Sequence, residues 1–573
     1  MIAEFVTIPG IILMIGALIL SLVPRDLRSS IFLLFPIAAL FFVFTRPEGY
    51  EVTATLAGLD LVLMQVDSLS RLFGIIFSAT ALIAGIYAWH IKDLGQQLAA
   101  LVYAGGAIGV TFAGDFFTLL VFWELMAISS TWLVWARRTP SSDAAGMRYL
   151  IVHILGGGIL LAGILWHLAD TGSLLVETLP QSTNIASILM LIGVAINAAV
   201  IPLHAWLPDA YPKATVTGAV FMSAFTTKSA VYVLMRVFPG WEVLTWFGAA
   251  MAIYGVIYAV ICKDMREILA YHIVSQVGFM VCGIGIGTDM ALNGSAAHAY
   301  SHILYKALMF MGAGAVLYAT GTTKLVELGG LKKKMRWTMI FYMVGAFSIS
   351  GLPLFNGFIS KAMTVDAAGY AGNETAMLML LFAGVGTFLS VGLKLPYFTW
   401  FDKEESDIEV KPLPVNMYIA MGITAFLCVF YGLVPGALYT YLPFQPVDYE
   451  PWTVYHLVEI SQIALLTFAG FWIFRKKLAG ERIIALDVDW FYRTPAPFFR
   501  RVFVNAIDNF FGWVEALAFR ITDKLVGRFD NPMKWLNPFS KEENHARTYS
   551  PPMEMVMAFV ILVILVFGIF LVL

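Results

Sequence analysis

The chain has 573 residues, 60% of them hydrophobic and only 13% charged, with a mean hydropathy of +0.80 and a formal net charge of -2. So little charge excludes a soluble globular protein of this size or a nucleic-acid binder, and it places the chain in a bilayer. Cys262, Cys282 and Cys428 lie far apart in apolar runs, without the close pairs of a zinc or iron-sulfur site, so no metal, cofactor or disulfide framework is expected.

Apolar runs of about 20 residues recur almost from end to end and predict an all-α polytopic membrane protein of about sixteen spans. They start near residues 5, 29, 68, 97, 115, 145, 184, 213, 241, 266, 290, 336, 373, 414, 454 and 551. No basic residue precedes the run Phe5 to Val23, which therefore reads as a spanning helix and not a cleaved signal peptide. Connections after odd-numbered spans carry Arg25, Arg28, Lys92, Arg137, Arg138, Lys213, Lys263, Arg266 and the run Lys332 to Lys334; those after even-numbered spans are mostly acidic, with Arg46 the clear exception. By the positive-inside rule the odd connections face the cytoplasm and the N-terminus faces out.

Glu124 sits in FFTLLVFWELMAISSTWLVW with apolar or small neighbours for more than two turns either way. A carboxylate there is neutralised unless a cation holds its charge, and Lys228 is the candidate partner, either within a transport path or as a structural ion pair. From Ile192 to Arg236 an apolar helix breaks at Pro202 and Pro208, with His204 and Asp209 on the break, and resumes with Lys228 near its middle. Backbone groups freed in a bilayer must be buried in protein or line a watery cavity, and a mid-bilayer lysine costs roughly 2.5 to 3.5 kcal/mol on insertion scales. Together they suggest an ion or proton path; a proline kink beside a lysine reaching the headgroups is the plainer alternative.

His298, His302 and Lys306 in HAYSHILYKALMF recur at four-residue steps, which stacks them on one helix face. No third metal ligand is spaced nearby, and imidazoles that accept and donate suit a proton relay better. A second break, at Gly351, Pro353 and Gly357, precedes Lys361 about five spans after the first, the pattern of paired repeats with sites at interrupted helices. Lys394 is a further span lysine that either joins the path or snorkels. Between Phe498 and Asp530, apolar residues at three- and four-residue steps alternate with Arg501, Asp508, Glu515 and Asp523. This predicts an amphipathic helix too polar to span, lying along the cytoplasmic face before a last span from Met553 to Leu573.

The motifs PLHAWLPDA, DMREILAYHIVSQVG, HAYSHILYKALMF and GLPLFNGFISK, in this order, resemble the antiporter-like subunits shared by Mrp-type multisubunit cation/proton antiporters and respiratory complex I. The likeness runs from about Asp67 to Phe401 and looks nearest to the D-type Mrp subunit, while the amphipathic tail helix is similar to the lateral helix of the distal complex I subunit. It implies fourteen core helices with two inverted five-helix repeats. Their polar axis is made by Glu124 of the fifth helix, Lys228 of the eighth, His298, His302 and Lys306 of the eleventh and Lys361 of the twelfth. Where the family usually carries a lysine five residues before the PLH proline, this chain has Asn197, which can orient water but cannot store a proton near neutrality.

The expected organisation is N-terminal helices over 1–112, repeat cores over 113–238 and 239–401, additional helices over 402–480, an amphipathic lateral segment over 481–550 and a terminal span over 551–573. The expected function is a proton-translocating subunit of a multisubunit Na⁺/proton antiporter in a bacterial inner membrane, partnered by other membrane subunits, with Glu124, Lys228, His298, His302, Lys306 and Lys361 carrying protons. Asn197, His204, Asp209 and Lys394 are secondary candidates. A redox-driven proton-pumping membrane arm and a coupling subunit for inorganic-carbon uptake are the alternatives; GIGIG at Gly283 to Gly287 is an apolar helix stretch lacking a phosphate-binding context.

Overall fold

A computed structural model describes residues 2–56, 58–478 and 487–529, in two compact units that part between Asp487 and Val488. The chain is a polytopic helical membrane protein. Among the described residues, twelve helices are long and apolar enough to cross a bilayer, and Pro9–Leu22 and Ile185–Asn197 are shorter apolar helices. A helix begins within about five residues of each expected start up to residue 454. The expected start near 551, and the terminal span with it, lies outside the described residues.

Acidic residues that look like loop charges in the sequence are helix caps. A helix entering lipid must satisfy its first N–H groups, and a capping carboxylate contributes about 1 kcal/mol by doing so. Asp115 caps Phe116–Trp135 by accepting from Thr118 N at 2.7 Å, and its other oxygen accepts from Val62 N at 2.9 Å. That second bond ties the helix to an antiparallel hairpin, Glu51–Leu56 with Leu59–Gln65, which the helical pattern of the sequence did not suggest. Asp67 caps Ser68–Tyr87 and also receives both arms of Arg236, at 2.5 and 2.8 Å, which fixes the far end of Thr226–Val237.

Small residues set how closely the central helices approach. At Gly248 an added Cβ would lie 2.2 Å from the backbone nitrogen of Cys282, so Glu242–Ile261 and Met265–Ile286 pack backbone to backbone. Van der Waals contact of this kind replaces the hydrophobic drive that lipid removes. Met265–Ile286 and Asp289–Thr320 are buried almost throughout, whereas Val454–Leu478 keeps Leu465, Leu466 and Ile473 exposed.

Arg266, expected in a basic connection, is instead fully buried: it donates to the carbonyls of Ala214, Tyr211 and Thr215 at 3.0 to 3.1 Å and braces the irregular backbone before Gly218. In the second unit the helix Asn505–Phe529 continues from shorter turns beginning at Ala496, and Phe499, Phe503, Ile507 and Phe510 are exposed. The stretch Ala496–Lys524 is long and apolar enough to cross a bilayer, although its alternating charges read as too polar to span. The two readings differ because mean hydropathy averages over a polar and an apolar face.

Candidate functional site

The sequence candidates converge on two interrupted helices and the long helix Asp289–Thr320. In the first interruption, Ile185–Asn197 ends at Asn197 and Ala199 takes a positive φ of 55°. A short helix, Trp206–Ala210, follows before Gly218–Ala224 and Thr226–Val237. The last two meet at a further irregular step that the sequence did not signal. There Thr226 N–H donates to the Tyr103 hydroxyl at 3.1 Å. Lys228 Nζ donates to the Ser223 carbonyl at 2.7 Å and to Thr227 Oγ1 at 3.0 Å.

Lys228 is therefore buried without a carboxylate partner among the described residues. The expected pairing with Glu124 does not form. Glu124 is half-buried, and a Cβ added at Gly157 would stand 1.5 Å from its Oε1, so its carboxyl group lies in a notch of the helix Pro140–Thr171. Only a glycine in that register leaves the space.

Asn197 is fully buried, and neither its amide nitrogen nor its oxygen has a partner among the described residues. Asp209 is engaged elsewhere: Arg148 Nε lies 2.7 Å and Lys213 Nζ 2.5 Å from its two oxygens. Desolvation raises the Asp209 pKa, but these two cations outweigh it and hold the carboxyl below the usual range. This residue is a structural anchor at the break. His204 Nε2 lies 3.3 Å from Asp487 Oδ1, and Asp487 also accepts from the hydroxyls of Tyr254 and Tyr271. Burial alone would raise the Asp487 pKa; His204 and the two tyrosines bring it to about 2.

The histidine helix carries the relay candidates inward. His298 Nδ1 is 3.1 Å from Ser360 Oγ, and the rings of His298 and His302 are 6.3 Å apart. Both ring nitrogens of His302 and the ammonium of Lys306 are buried with no hydrogen-bond partner among the described residues. His302 lies within electrostatic reach of Lys228, Lys306, His298 and Lys361, which makes these five groups one coupled cluster.

At the second interruption, Arg336–Ser350 ends in Gly351 at φ 73°, and Asn356–Tyr370 restarts the chain. A Cβ at Gly357 would fall 1.7 Å from the Ser348 carbonyl oxygen, so the two helix ends meet there only through glycine. Lys361 Nζ donates to the Ile349 carbonyl at 2.6 Å and lies 5.0 Å over the Phe279 ring. Lys394 does not snorkel. It is buried, and it donates to the carbonyls of Val260 and Cys262 at 2.5 and 2.7 Å, closing the end of Glu242–Ile261.

Two residues escaped the sequence reading. His272 is fully buried with Nε2 2.6 Å from Ser390 Oγ, within reach of the charges of Lys306, Lys361 and Lys394. An imidazole inside the apolar run that opens DMREILAYH was its available signal. Asp487 left none, because its partners are more than two hundred residues away in sequence.

The family described as "NADH:quinone oxidoreductase/Mrp antiporter, TM" matches residues 113–390. The chain is 30% identical over 321 residues to the D-type Na(+)/H(+) antiporter subunit of Alkalihalophilus pseudofirmus, covering 53% of this chain and 65% of that protein. It is 34% identical over 333 residues to the N-type NADH-quinone oxidoreductase subunit of Desulforudis audaxviator, covering 51% and 66%. It spans about half to two thirds of the length of the curated relatives it matches. In the solved structure of the membrane-bound sulfane sulfur reductase, an archaeal respiratory membrane complex, one chain has the same fold. The TM-score is 0.71 at 24% identity, over 98% of this chain and 99% of that one.

Proposed function

Because this chain belongs, through residues 113–390, to the family of NADH:quinone oxidoreductase and Mrp antiporter membrane subunits, we propose that it is the proton-translocating subunit of a multisubunit monovalent cation (Na⁺)/proton antiporter. The carrying observation is the buried cluster in which, among the described residues, Lys228, Lys306 and Lys361 have no carboxylate partner and His302 and Lys306 have no hydrogen bond at all. Unpaired cations are costly in a membrane protein and persist where protonation changes are used. A buried lysine without a counter-ion can be loaded or unloaded by small shifts of a neighbouring charge.

In this reading Lys228 serves the first half, His302, His298 and Lys306 pass protons across the middle, and Lys361 is the release group. Glu124, seated on Gly157, biases Lys228 at a distance and not by contact. Lys394 holds backbone carbonyls, Asp209 holds Arg148 and Lys213, and His204 stands beside Asp487. The first and second halves correspond to residues 113–238 and 239–401, related as inverted repeats; a lysine in each half donates to a carbonyl beside an irregular helix junction, at Phe225 and at Gly351, which supports that relation. The remaining organisation is sixteen spans with the N-terminus outside. Added helices occupy 1–112 and 402–480, in a bacterial inner membrane beside other membrane subunits; the lateral segment expected over 481–550 and the terminal span expected over 551–573 extend beyond the described residues.

The test is cation-dependent proton movement in everted vesicles bearing the assembled complex. Na⁺-driven acidification or alkalinisation that vanishes in Lys361→Gln supports the proposal; wild-type vesicles that respond to no monovalent cation sink it. The second reading, a proton-pumping membrane arm of a redox complex, is favoured by the 34% identity to the N-type oxidoreductase relative. It predicts proton movement driven by electron transfer in the purified complex and none driven by Na⁺.

A further inference from the structure

The helix Val454–Leu478 lies beyond residues 113–390 and brings two titratable groups, His456 and Glu459, to a cavity that Lys361 also lines. Lys361, Ser350, Phe279, Asp366, Glu459 and His456 line one cavity with about 70 Å³ of space for water-sized occupants. That is room for several waters, since one needs roughly 10 to 15 Å³ by this measure. Lys361 is a buried member of this lining. Asp366 is five residues further along the same helix, and Glu459 follows His456 by three residues on the other wall, about 4.5 Å by helical rise.

The mouth has an unusual hydrogen-bond count. His456 Nδ1 is 3.1 Å from the Pro451 carbonyl, and Nε2 is 2.8 Å from Asp366 Oδ2. A carbonyl can only accept, so Nδ1 must carry a hydrogen. Nε2 then faces a carboxylate that also accepts from Tyr449 Oη at 2.7 Å. Both ring nitrogens thus point at acceptors, and the contact is satisfied only when one extra proton is shared by His456 and Asp366. Glu459 lies within electrostatic reach of both members of the pair, the Tyr455 ring packs on His456 at 5.6 Å, and Tyr439 and Tyr370 lie within electrostatic reach of Tyr449.

We propose that this cavity is the aqueous route between Lys361 and the membrane face at which Val454–Leu478 begins, and that the Asp366 and His456 pair at its mouth is a one-proton relay reached from Lys361 past Glu459. The step is a plain transfer. A proton leaves Lys361 as the ammonium becomes an amine, travels through water and the Glu459 carboxylate, and displaces to the outside the proton held between His456 and Asp366. No charge or atom is left over. The proposal rests on the transport reading above and adds residues from an element outside the matched region.

The test has two independent arms in the full complex. First, Lys361→Cys is exposed to a membrane-impermeant thiol reagent from either side of oriented vesicles. Modification from the His456 face, cut about tenfold by adding Glu459→Trp, is expected; modification from the opposite face, or no loss with Glu459→Trp, overturns the route. Should Glu459→Trp fail to assemble, Ala362→Trp fills the same cavity. Second, His456→Gln and Asp366→Asn keep hydrogen bonding but remove the shared proton. Each is expected to lower proton movement by about tenfold, a modest general acid-base effect, and to flatten its pH profile. An unchanged rate and pH profile in His456→Gln overturns the relay. If wild-type vesicles move no protons while the labelling still follows the cavity, the transport reading fails and the route is supported.

Discussion

Lys228 and Lys361 each donate to a backbone carbonyl next to an interrupted helix, but their surroundings differ. At the irregular step between Gly218–Ala224 and Thr226–Val237 the lysine is sealed: Ser223 O and Thr227 Oγ1 are its partners, and the acidic candidate named from the sequence, Glu124, is turned into the Gly157 notch. At the second interruption, Lys361 has Ile349 O on one side and, on the other, a water-sized cavity edged by Glu459 and Asp366. Interrupting a helix frees a carbonyl, and a carbonyl dipole can hold an ammonium without a counter-ion. What distinguishes the halves is whether the proton has anywhere to go. In the transport proposed above, the first half exchanges protons with neighbours inside the protein, while the second adjoins the proposed outlet.

The largest effect expected from this contrast is Lys361→Gln, which should lower cation-dependent proton movement by about a hundredfold, with Lys228→Gln costing nearer tenfold. Equal losses, read as initial rates in vesicles with matched complex content, would erase the distinction between the halves.

The asymmetry of the first half can be sharpened at two places, each with an expected loss near tenfold. Gly157→Ala pushes the Glu124 carboxyl from its notch, whereas Gly158→Ala meets nothing within 4 Å and serves as the matched control. If the two alanines behave alike, the seat of Glu124 is unimportant. Asn197→Lys adds a second cation to a buried region where Asn197 already lacks partners among the described residues. Like charges there repel by several kcal/mol at an effective dielectric of about 20, so activity should fall by about tenfold, and Lys228→Gln on the same chain should restore part of it. Undiminished transport in Asn197→Lys means that the first half already accommodates two cations.

His302→Gln removes a titratable ring but no hydrogen bond, since both nitrogens are unpartnered among the described residues. A decrease of about fivefold with a displaced pH optimum is expected for a relay member; a pH profile superimposable on wild type would make His302 a packing residue.

The smallest effect concerns the anchor of residue 487. Because the folded Asp487 pKa is about 2, below its ordinary 3.8, its stabilising contribution is complete above about pH 4 and disappears as pH falls through 2. Asp487→Asn should lower the melting temperature of the detergent-extracted protein by about 1 to 2 °C at pH 7. The difference from wild type should be constant from pH 8 to 5, shrink between about pH 4 and 2, and vanish below pH 2. A difference that grows on acidification would refute an ionised anchor.

Much of the fold is legible without coordinates, because lipid imposes a length and polarity on every span and tolerates interruption only where protein or water meets the freed backbone. The helix starts, the interruptions near Pro202 and Gly351, and the His298, His302, Lys306 stack all follow from local pattern, since a helix face is determined by residues three and four apart. The family resemblance from Asp67 to Phe401 brackets the matched residues 113–390 for the same reason: its motifs are contiguous.

Partnership between elements is another matter. Glu124 and Lys228 are the obvious pair by charge, yet a missing Cβ at residue 157 decides where the carboxylate rests. Arg266 and Lys394 look like charges bound for the cytoplasmic surface, and both instead turn inward to carbonyls that irregular or ended helices leave open. Asp366 with His456, and Asp487 with Tyr254 and Tyr271, join residues separated by tens to hundreds of positions. Periodicity carries no information about which faces of different helices meet. The sequence by itself determined a polytopic helical membrane protein, its breaks and its buried ionisable residues; which of those charges are sealed, paired or given an outlet was decided only by tertiary packing, because desolvation and hydrogen bonding depend on neighbours in space and not in order.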